Sequence, residues 1–413
     1  LFINTLVFSQ QVTTYAGSPF GYGYLDGSGL VAQFKTPRGI CIDSQGNIFI
    51  ADAGNNRIRK IEPSGNHTVT TFAGSGVEGY ADGIGINAAL TPNVMCIDSQ
   101  DNLYVTDWWN FKVRKITPIG EVTTVAGTTQ GFSDGAANTA QFSYLEGICI
   151  DAQGNLFVAD GGNNRIRKIT PAGVVSTVAG STSGYQDGTG TNAKFDYPSG
   201  ICIDGNNNLF ISELFNQKIR KINSFGIVST IAGSSTGYAD GQGTAAKFNM
   251  ATGICVDALG NLFVADGGNN RIRKITPSGL VSTYSGSIQG SLDGTLSTAL
   301  FDKPTHLIFD TSYNLYITEI GNHKIRKISN GLSTNDFDLF NYSLYPNPNN
   351  GSFKINGLQS YGIEIYNLLG QMAFSKLELQ NDTEIVTNLK KGIYLVKITN
   401  DEGKIVTQKI MVE

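Results

Sequence analysis

The chain has 413 residues, 40% apolar and 15% charged, enough to bury a sizeable core across two domains. The formal net charge of −4 argues against a polyanionic partner, so no nucleic acid is expected. No apolar run reaches the roughly 18 residues of a membrane-crossing helix, so no membrane span is expected.

The amino end, LFINTLVFSQQ, has no initiator Met and reads as the tail of an apolar stretch followed by small and polar residues. Residues 1–10 are therefore expected to be the remnant of a secretory signal peptide. A short β-type run, VTTYAG at 12–17, follows before any repeat begins. Six copies of one phrase come next, starting with GNIFIADAGNNRIRKI at Gly46 and ending with YNLYITEIGNHKIRKI. The acidic residue closing each apolar run marks the period: Asp52, Asp107, Asp160, Glu213, Asp266 and Glu319, spaced by 55 residues and then by 53. A fixed period of this size is one supersecondary unit repeated.

Each unit holds four short runs rich in Val, Ile, Phe and Thr, separated by Gly, Asn and Pro turns: GICID, NLFVAD, RIRKI and V-S/T-T-x-A-G. No stretch carries a useful helical stripe. The expected fold is all-β, with one four-stranded propeller blade per unit. The last unit lacks its fourth run, and 12–17 has no unit of its own. The chain ends are therefore expected to share blade six, with 12–17 pairing against 324–328 and removing the open sheet edges.

The A-D-x-x-N-x-R-I phrase after a G-N-L-F/Y strand resembles the NHL repeat, and with the V-T-T-V-A-G and Y-x-D-G elements it is similar to bacterial and plant forms of that family over residues 11–328. The resemblance implies a six-bladed β-propeller. Some NHL propellers bind RNA, and 18 of the 30 Lys and Arg lie in the R/K-x-R-K runs. However, Arg59, Arg114, Arg167, Arg220, Arg273 and Arg326 recur in step with the acidic residues, so they are read as ion pairs rather than as a nucleic-acid surface. Cys41, Cys96, Cys149, Cys202 and Cys255 share one position with Ile308, which marks a buried apolar slot rather than disulfides or a metal cage.

Long loops of about 20 residues join the blades and carry an aromatic-x-Asp-Gly element (Tyr24/Asp26, Tyr80/Asp82, Phe132/Asp134, Tyr185/Asp187, Tyr238/Asp240, with Asp293 alone in blade six). Their recurrence points to a structural role. Calcium is considered for these aspartates but has no D-x-D-x-D spacing behind it, so no cofactor is expected. Candidate function is sought where copies differ. The loop after each acidic residue keeps its Asn, yet reads DAGNNR, DGGNNR and DGGNNR in odd blades against DWWNFK, ELFNQK and EIGNHK in even ones. The candidate ligand-binding residues are Asp107, Trp108, Trp109 and Phe111 in blade two, Glu213, Leu214 and Phe215 in blade four, and Glu319 and His323 in blade six. Rigid aromatic faces suit sugar rings or peptide side chains, with carboxylates accepting hydroxyl hydrogen bonds. The competing reading packs the bulky loops beneath the inter-blade loops, as the product of a two-blade duplication.

Residues 329–342 read as a polar linker, and 343–413 as a small β-sandwich with PNPNNG and DEGK turns. Tyr345-Pro346-Asn347-Pro348, Ile365-Tyr366-Asn367-Leu368-Leu369-Gly370-Gln371 and Lys391-Gly392-Ile393-Tyr394-Leu395-Val396-Lys397 closely resemble the type A C-terminal sorting domain of type IX secretion. That resemblance implies export through the periplasm, with the type IX secretion machinery and its sorting peptidase as partners. The mature protein would then be secreted or held on the outer surface of a Gram-negative cell. Two functional readings follow: a non-catalytic module binding a polysaccharide or protein, or a metal-dependent hydrolase or lyase like the lactonases and the amidating lyase that share the shape. His67, His306 and His323 are the only histidines, and no G-x-S-x-G or phosphate loop is present. No catalytic residue or metal ligand is assigned.

Overall fold

The computed structural model describes residues 10–330, 343–357, 360–367, 371–400 and 405–412. The expectations for residues 1–9, for the linker beyond Asn330, for 368–370 and for the DEGK turn lie outside the described residues. Two compact units are present, Gln10–Asn330 and a second holding the carboxyl-terminal segment.

In the first unit each period folds into one antiparallel sheet. Blade one runs Pro37–Ile42, Ile48–Asp52, Arg57–Ile61 and Val69–Ala73 from the inside outward. The turn between the first two strands follows from its sequence: Asp43 Oδ1 accepts the backbone N–H groups of Gln45 at 3.0 Å and Asn47 at 2.8 Å. Asp98, Asp151, Asp204, Asp257 and Asp310 do the same in the other blades. The inner strands Pro37–Ile42, Pro92–Ile97, Leu145–Ile150, Pro198–Ile203, Ala251–Val256 and Pro304–Phe309 pack each against its two neighbours in a closed circuit. The result is a six-bladed propeller.

The seam is the one expected. Gln11–Ala16 pairs with Lys324–Ile328, placing Val12 opposite Ile328 and Thr14 opposite Arg326. Val12 and Ala16 are wholly buried there. One feature was not expected: five of the six sheets carry a fifth, two-residue outer strand, such as Gly83–Ile84 beside Glu121–Ala126. The loop leaving one blade therefore runs along the outer edge of the next before entering its centre. Blade one keeps a single bridge there, Gly27 to Val69.

The cores lie between blades. Cys41, Phe49, Ala51 and Ile58 of blade one, for example, pack on Leu90, Met95, Leu103 and Val105 of blade two. Each buried aliphatic or aromatic side chain there contributes about 1.5–3 kcal/mol. Neighbouring inner strands approach so closely that a Cβ on Gly39 would lie 2.7 Å from Val94 Cα, and one on Gly147 would lie 2.6 Å from the Ser199 carbonyl oxygen. Blade six has His306 at this position.

The second unit packs a three-stranded sheet (Ser343–Tyr345, Ser352–Asn356, Glu384–Val386) against a four-stranded one (Ser360–Asn367, Met372–Gln380, Gly392–Asn400, Ile405–Val412). Phe353, Ile355 and Ile385 from the first sheet meet Ile363, Ile365, Val396 and Ile398 from the second in one core. This is the expected sandwich.

Candidate functional site at the loop-bearing mouth

Six arginines organise the loop-bearing face. Arg59, on the third strand, is fully buried; its Nη1 donates to Asp52 at 2.9 Å and its Nη2 to Asp26 at 2.5 Å. Its remaining reach goes to the carbonyls of Gln33 and Leu25 in the inter-blade loop. The same clasp joins Arg114 to Asp107 and Asp82, and Arg167 to Asp160 and Asp134. It continues with Arg220 on Glu213 and Asp187, Arg273 on Asp266 and Asp240, and Arg326 on Glu319 and Asp293. Each inner carboxylate also accepts a backbone N–H from the inter-blade loop, as Asp52 does from Lys35 at 2.7 Å. Burial pushes Glu319 up to about 7 and Asp160 up to about 6, against the pull of their arginines.

The clasps change what the candidate residues can offer. Asp107, Glu213 and Glu319 are fully buried and engaged, so they do not serve a ligand as hydroxyl acceptors; the arginines and loop amides already occupy them. The recurring aspartates considered for calcium each hold an arginine and also accept from an outer-strand threonine, as Asp187 does from Thr230. The recurring aromatics are structural too. Tyr24 lies 3.9 Å beneath the Arg57 guanidinium, and Phe132 lies 4.0 Å beneath that of Arg165. All six loop asparagines donate to a carbonyl of the inter-blade loop, as Asn55 does to Gly23 at 2.7 Å.

Where the copies differ, the loops diverge in use. The residue after each Asn is left-handed in every blade: Asn56, Phe111, Asn164, Gln217, Asn270 and His323, with φ between 52° and 56°. Asn164, Gln217, Asn270 and His323 turn this residue into a stitch, accepting the backbone N–H of Tyr197, Met250, Lys303 and Thr36 in the next blade. His323 uses Nδ1 for this at 3.0 Å and stacks on Tyr22, so that edge of its ring is unavailable to a ligand. Neither Asn56 nor Phe111 makes the stitch. In place of a polar link, Phe111 sets its ring edge-on to Tyr144 of blade three, 5.7 Å between centroids. Blade two is thus the exception on both sides.

Its aromatics form a cluster. Trp108 and Trp109 lie 4.8 Å apart between centroids, and both contact Tyr144. The pair divides in role: Trp109 is 50% exposed, whereas Trp108 is partly buried, with its indole N–H covered and beside Glu146. Phe215 of blade four is 61% exposed and packs on Tyr197, while Leu214 is partly buried. The even blades also share a device inside the ring. Thr106, Ser212 and Thr318 donate to the carbonyls of Glu146, Thr252 and Arg38 on the following inner strand, where odd blades have Ala51, Ala159 and Ala265.

A second set of residues was missed at the sequence level. The second position of each inner strand carries Arg38, Asn93, Glu146, Ser199, Thr252 and Thr305. The first three form a relay across blades one to three. Arg38 Nη1 donates to Asn93 Oδ1 at 3.2 Å, and Asn93 Nδ2 donates to Glu146 Oε2 at 3.0 Å. Tyr197 Oη closes it on Glu146 Oε1 at 3.1 Å. Burial pushes Glu146 above the usual carboxylate range, opposed by the charge of Arg38, the Asn93 and Tyr197 hydrogen bonds and the Trp108 indole. The Arg38 guanidinium lies over Trp108, 5.3 Å from the ring centroid. Beside these residues a cavity of about 290 Å³ opens between blades one and two. Aligning the first strand of each copy would have exposed this asymmetry.

The histidines stand apart from it. His306 packs against Gly253 of blade five, and its Nδ1 is buried without a partner; burial lowers it to about 4. His67 stacks on Tyr15 at the seam. Among the described residues no three His, Cys, Asp or Glu side chains converge as a metal site.

Comparisons with known proteins agree with this architecture. Residues 34–61, 142–169 and 248–275 match the NHL repeat, and residues 343–413 match the Secretion system C-terminal sorting domain. The chain is 26% identical over 281 residues to Protein SUPPRESSOR OF QUENCHING 1, chloroplastic, of Arabidopsis thaliana, covering 63% of this chain and 26% of that protein. It thus spans about a quarter of that relative's length. Among solved structures, an auxiliary nutrient binding protein from Bacteroides thetaiotaomicron superposes with a TM-score of 0.61 at 16% identity, covering 78% of this chain and 76% of the other. A gluconolactonase from Xanthomonas campestris gives 0.53 at 12% identity, covering 79% and 92%. Likeness at these identities speaks to the fold alone.

Proposed function

The chain is an NHL-repeat six-bladed propeller protein ending in a secretion system C-terminal sorting domain, and from that premise we propose that it acts outside the cell as a non-catalytic module that binds a glycan at the loop-bearing mouth. The observation carrying this reading is the exposed aromatic surface of blades two and four. Trp109 and Phe215 present large ring faces to solvent from turns whose odd-blade counterparts are glycine or alanine. Such faces are costly beside water unless a ligand covers them, and a pyranose ring is a suitable cover. The auxiliary nutrient binding protein of similar fold is in keeping with a binding role.

The full-length protein, screened on a panel of polysaccharides and oligosaccharides, is expected to retain at least one class. Trp109→Ala and Phe215→Ala should each weaken that binding at least tenfold, the loss expected for one stacking contact of about 1.4 kcal/mol. Binding undiminished in both variants would remove the site from this mouth. Turnover of a captured sugar or lactone, seen as product formation, would replace the binding reading with an enzymatic one.

A further inference from the structure

Three features meet between blades one and two: an arginine without a carboxylate partner, an exposed indole face, and a cavity with room for one small ring. Arg38 differs from the six clasp arginines, each of which holds two carboxylates. Among the described residues it forms no ion pair, and its side-chain hydrogen bond runs to Asn93. Glu146 is reached only through that amide, so it offsets the charge of Arg38 at a distance, and Arg38 itself is only half-buried beside the cavity. The Trp108 ring lies on one side of the guanidinium, 5.3 Å from its carbon. A partly open fork of this kind matches the two oxygens of a carboxylate.

The cavity is lined by Arg38, Asn93, Trp108 and Trp109, with exposed Glu78 at its edge. Its volume of about 290 Å³ lies at the small end of ligand sites, which begin at about 300 Å³. That accommodates one sugar residue, with the rest of a polymer running on along the mouth. The wall is chemically divided, with a cation on one side, an indole face on another, and a carboxylate able to accept hydroxyl hydrogen bonds. We infer that this pocket selects a carboxylate-bearing pyranose, a hexuronate within an acidic polysaccharide, with the carboxylate on Arg38, the ring face on Trp109 and a hydroxyl on Glu78. The inference rests on the glycan-binding reading above and narrows it.

Both tryptophans of the chain lie in this pocket, so intrinsic fluorescence reports on it directly. The full-length protein is titrated with oligogalacturonate, with its methyl ester and with neutral oligogalactose, and the unmodified acid should bind at least tenfold more tightly than either. In Arg38→Gln that preference should collapse to within about twofold, and in Arg38→Lys it should be only partly retained. Equal binding of acid and ester by the unaltered protein overturns the uronate assignment while leaving glycan binding intact. So does a preference that survives Arg38→Gln, or a sulfated sugar preferred to the uronate. Failure of every sugar, here and on the polysaccharide panel, overturns both readings. The acid-to-ester comparison needs no variant, so a poorly folded Arg38 substitution does not blunt it.

Discussion

Two rings of arginine-centred chemistry sit in this propeller, and they were built to opposite rules. In the clasp ring six arginines, six inner carboxylates and six loop aspartates repeat almost without change. At the second position of the inner strands every blade differs from its predecessor until the two adjoining threonines, Thr252 and Thr305, and only three of the six residues form a polar relay. Repetition around the first ring marks what each blade needs in order to hold its incoming loop. Variation around the second marks positions that the repeat itself does not hold fixed.

The contrast can be broken by experiment. The largest effect should come from Arg167→Met, which leaves Asp160 buried beside no cation. Stripping one partner from a buried pair costs about 3–5 kcal/mol, readable by denaturant unfolding. Arg38→Gln should cost less than that, since it loses one hydrogen bond to a neutral amide and a charge interaction that reaches Glu146 only across that amide. Equal costs would make the mouth relay as structural as the clasp and end the comparison.

A middle-sized effect is expected from pH. His306 has a folded value of about 4, below its ordinary 6.5, so the unfolded chain binds the extra proton between those values. The His306 contribution to stability is therefore lost as the pH falls from about 6.5 towards 4, by up to about 3 kcal/mol, against the opposite contribution of the raised Glu319 and Asp160, and His306→Asn should remove that loss. A slope unchanged in the variant would mean that other groups carry it. The smallest effect is expected for Trp109→Ala, about 1 kcal/mol or less because half the ring is already in water, whereas Trp108→Ala should cost more. Reversed costs would mean that Trp109 is the packing residue.

The propeller itself was legible in the sequence because each cue is local: the strand runs, the Asp-x-x-x-Asn turns, and the seam strand left over at residues 12–17. The arginine clasps were legible as charge matching, since Arg59 and Asp52 recur in step. The fifth outer strand was not, because Gly83 and Ile84 have no strand-like run of their own and pair only through the path of the loop. The candidate carboxylates Asp107, Glu213 and Glu319 were misread for a related reason. The in-step charges pair each acid with the arginine seven positions later, but sequence does not show that the pair is wholly buried and has no oxygen left for a ligand. Arg38, Asn93, Glu146 and Tyr197 escaped notice because each is unremarkable alone and roughly a blade apart from the next.

The cysteine column has a consequence for how this protein travels. Burial pushes all five thiols up, away from the reactive thiolate form. The chain carries a secretion sorting domain, and extracytoplasmic routes are oxidising. An open chain would expose five oxidisable sulfurs with no native disulfide among them to form. Ring closure is thus also a chemical quarantine, and a thiol-alkylating tag added during export would date the moment at which the sixth blade zips shut.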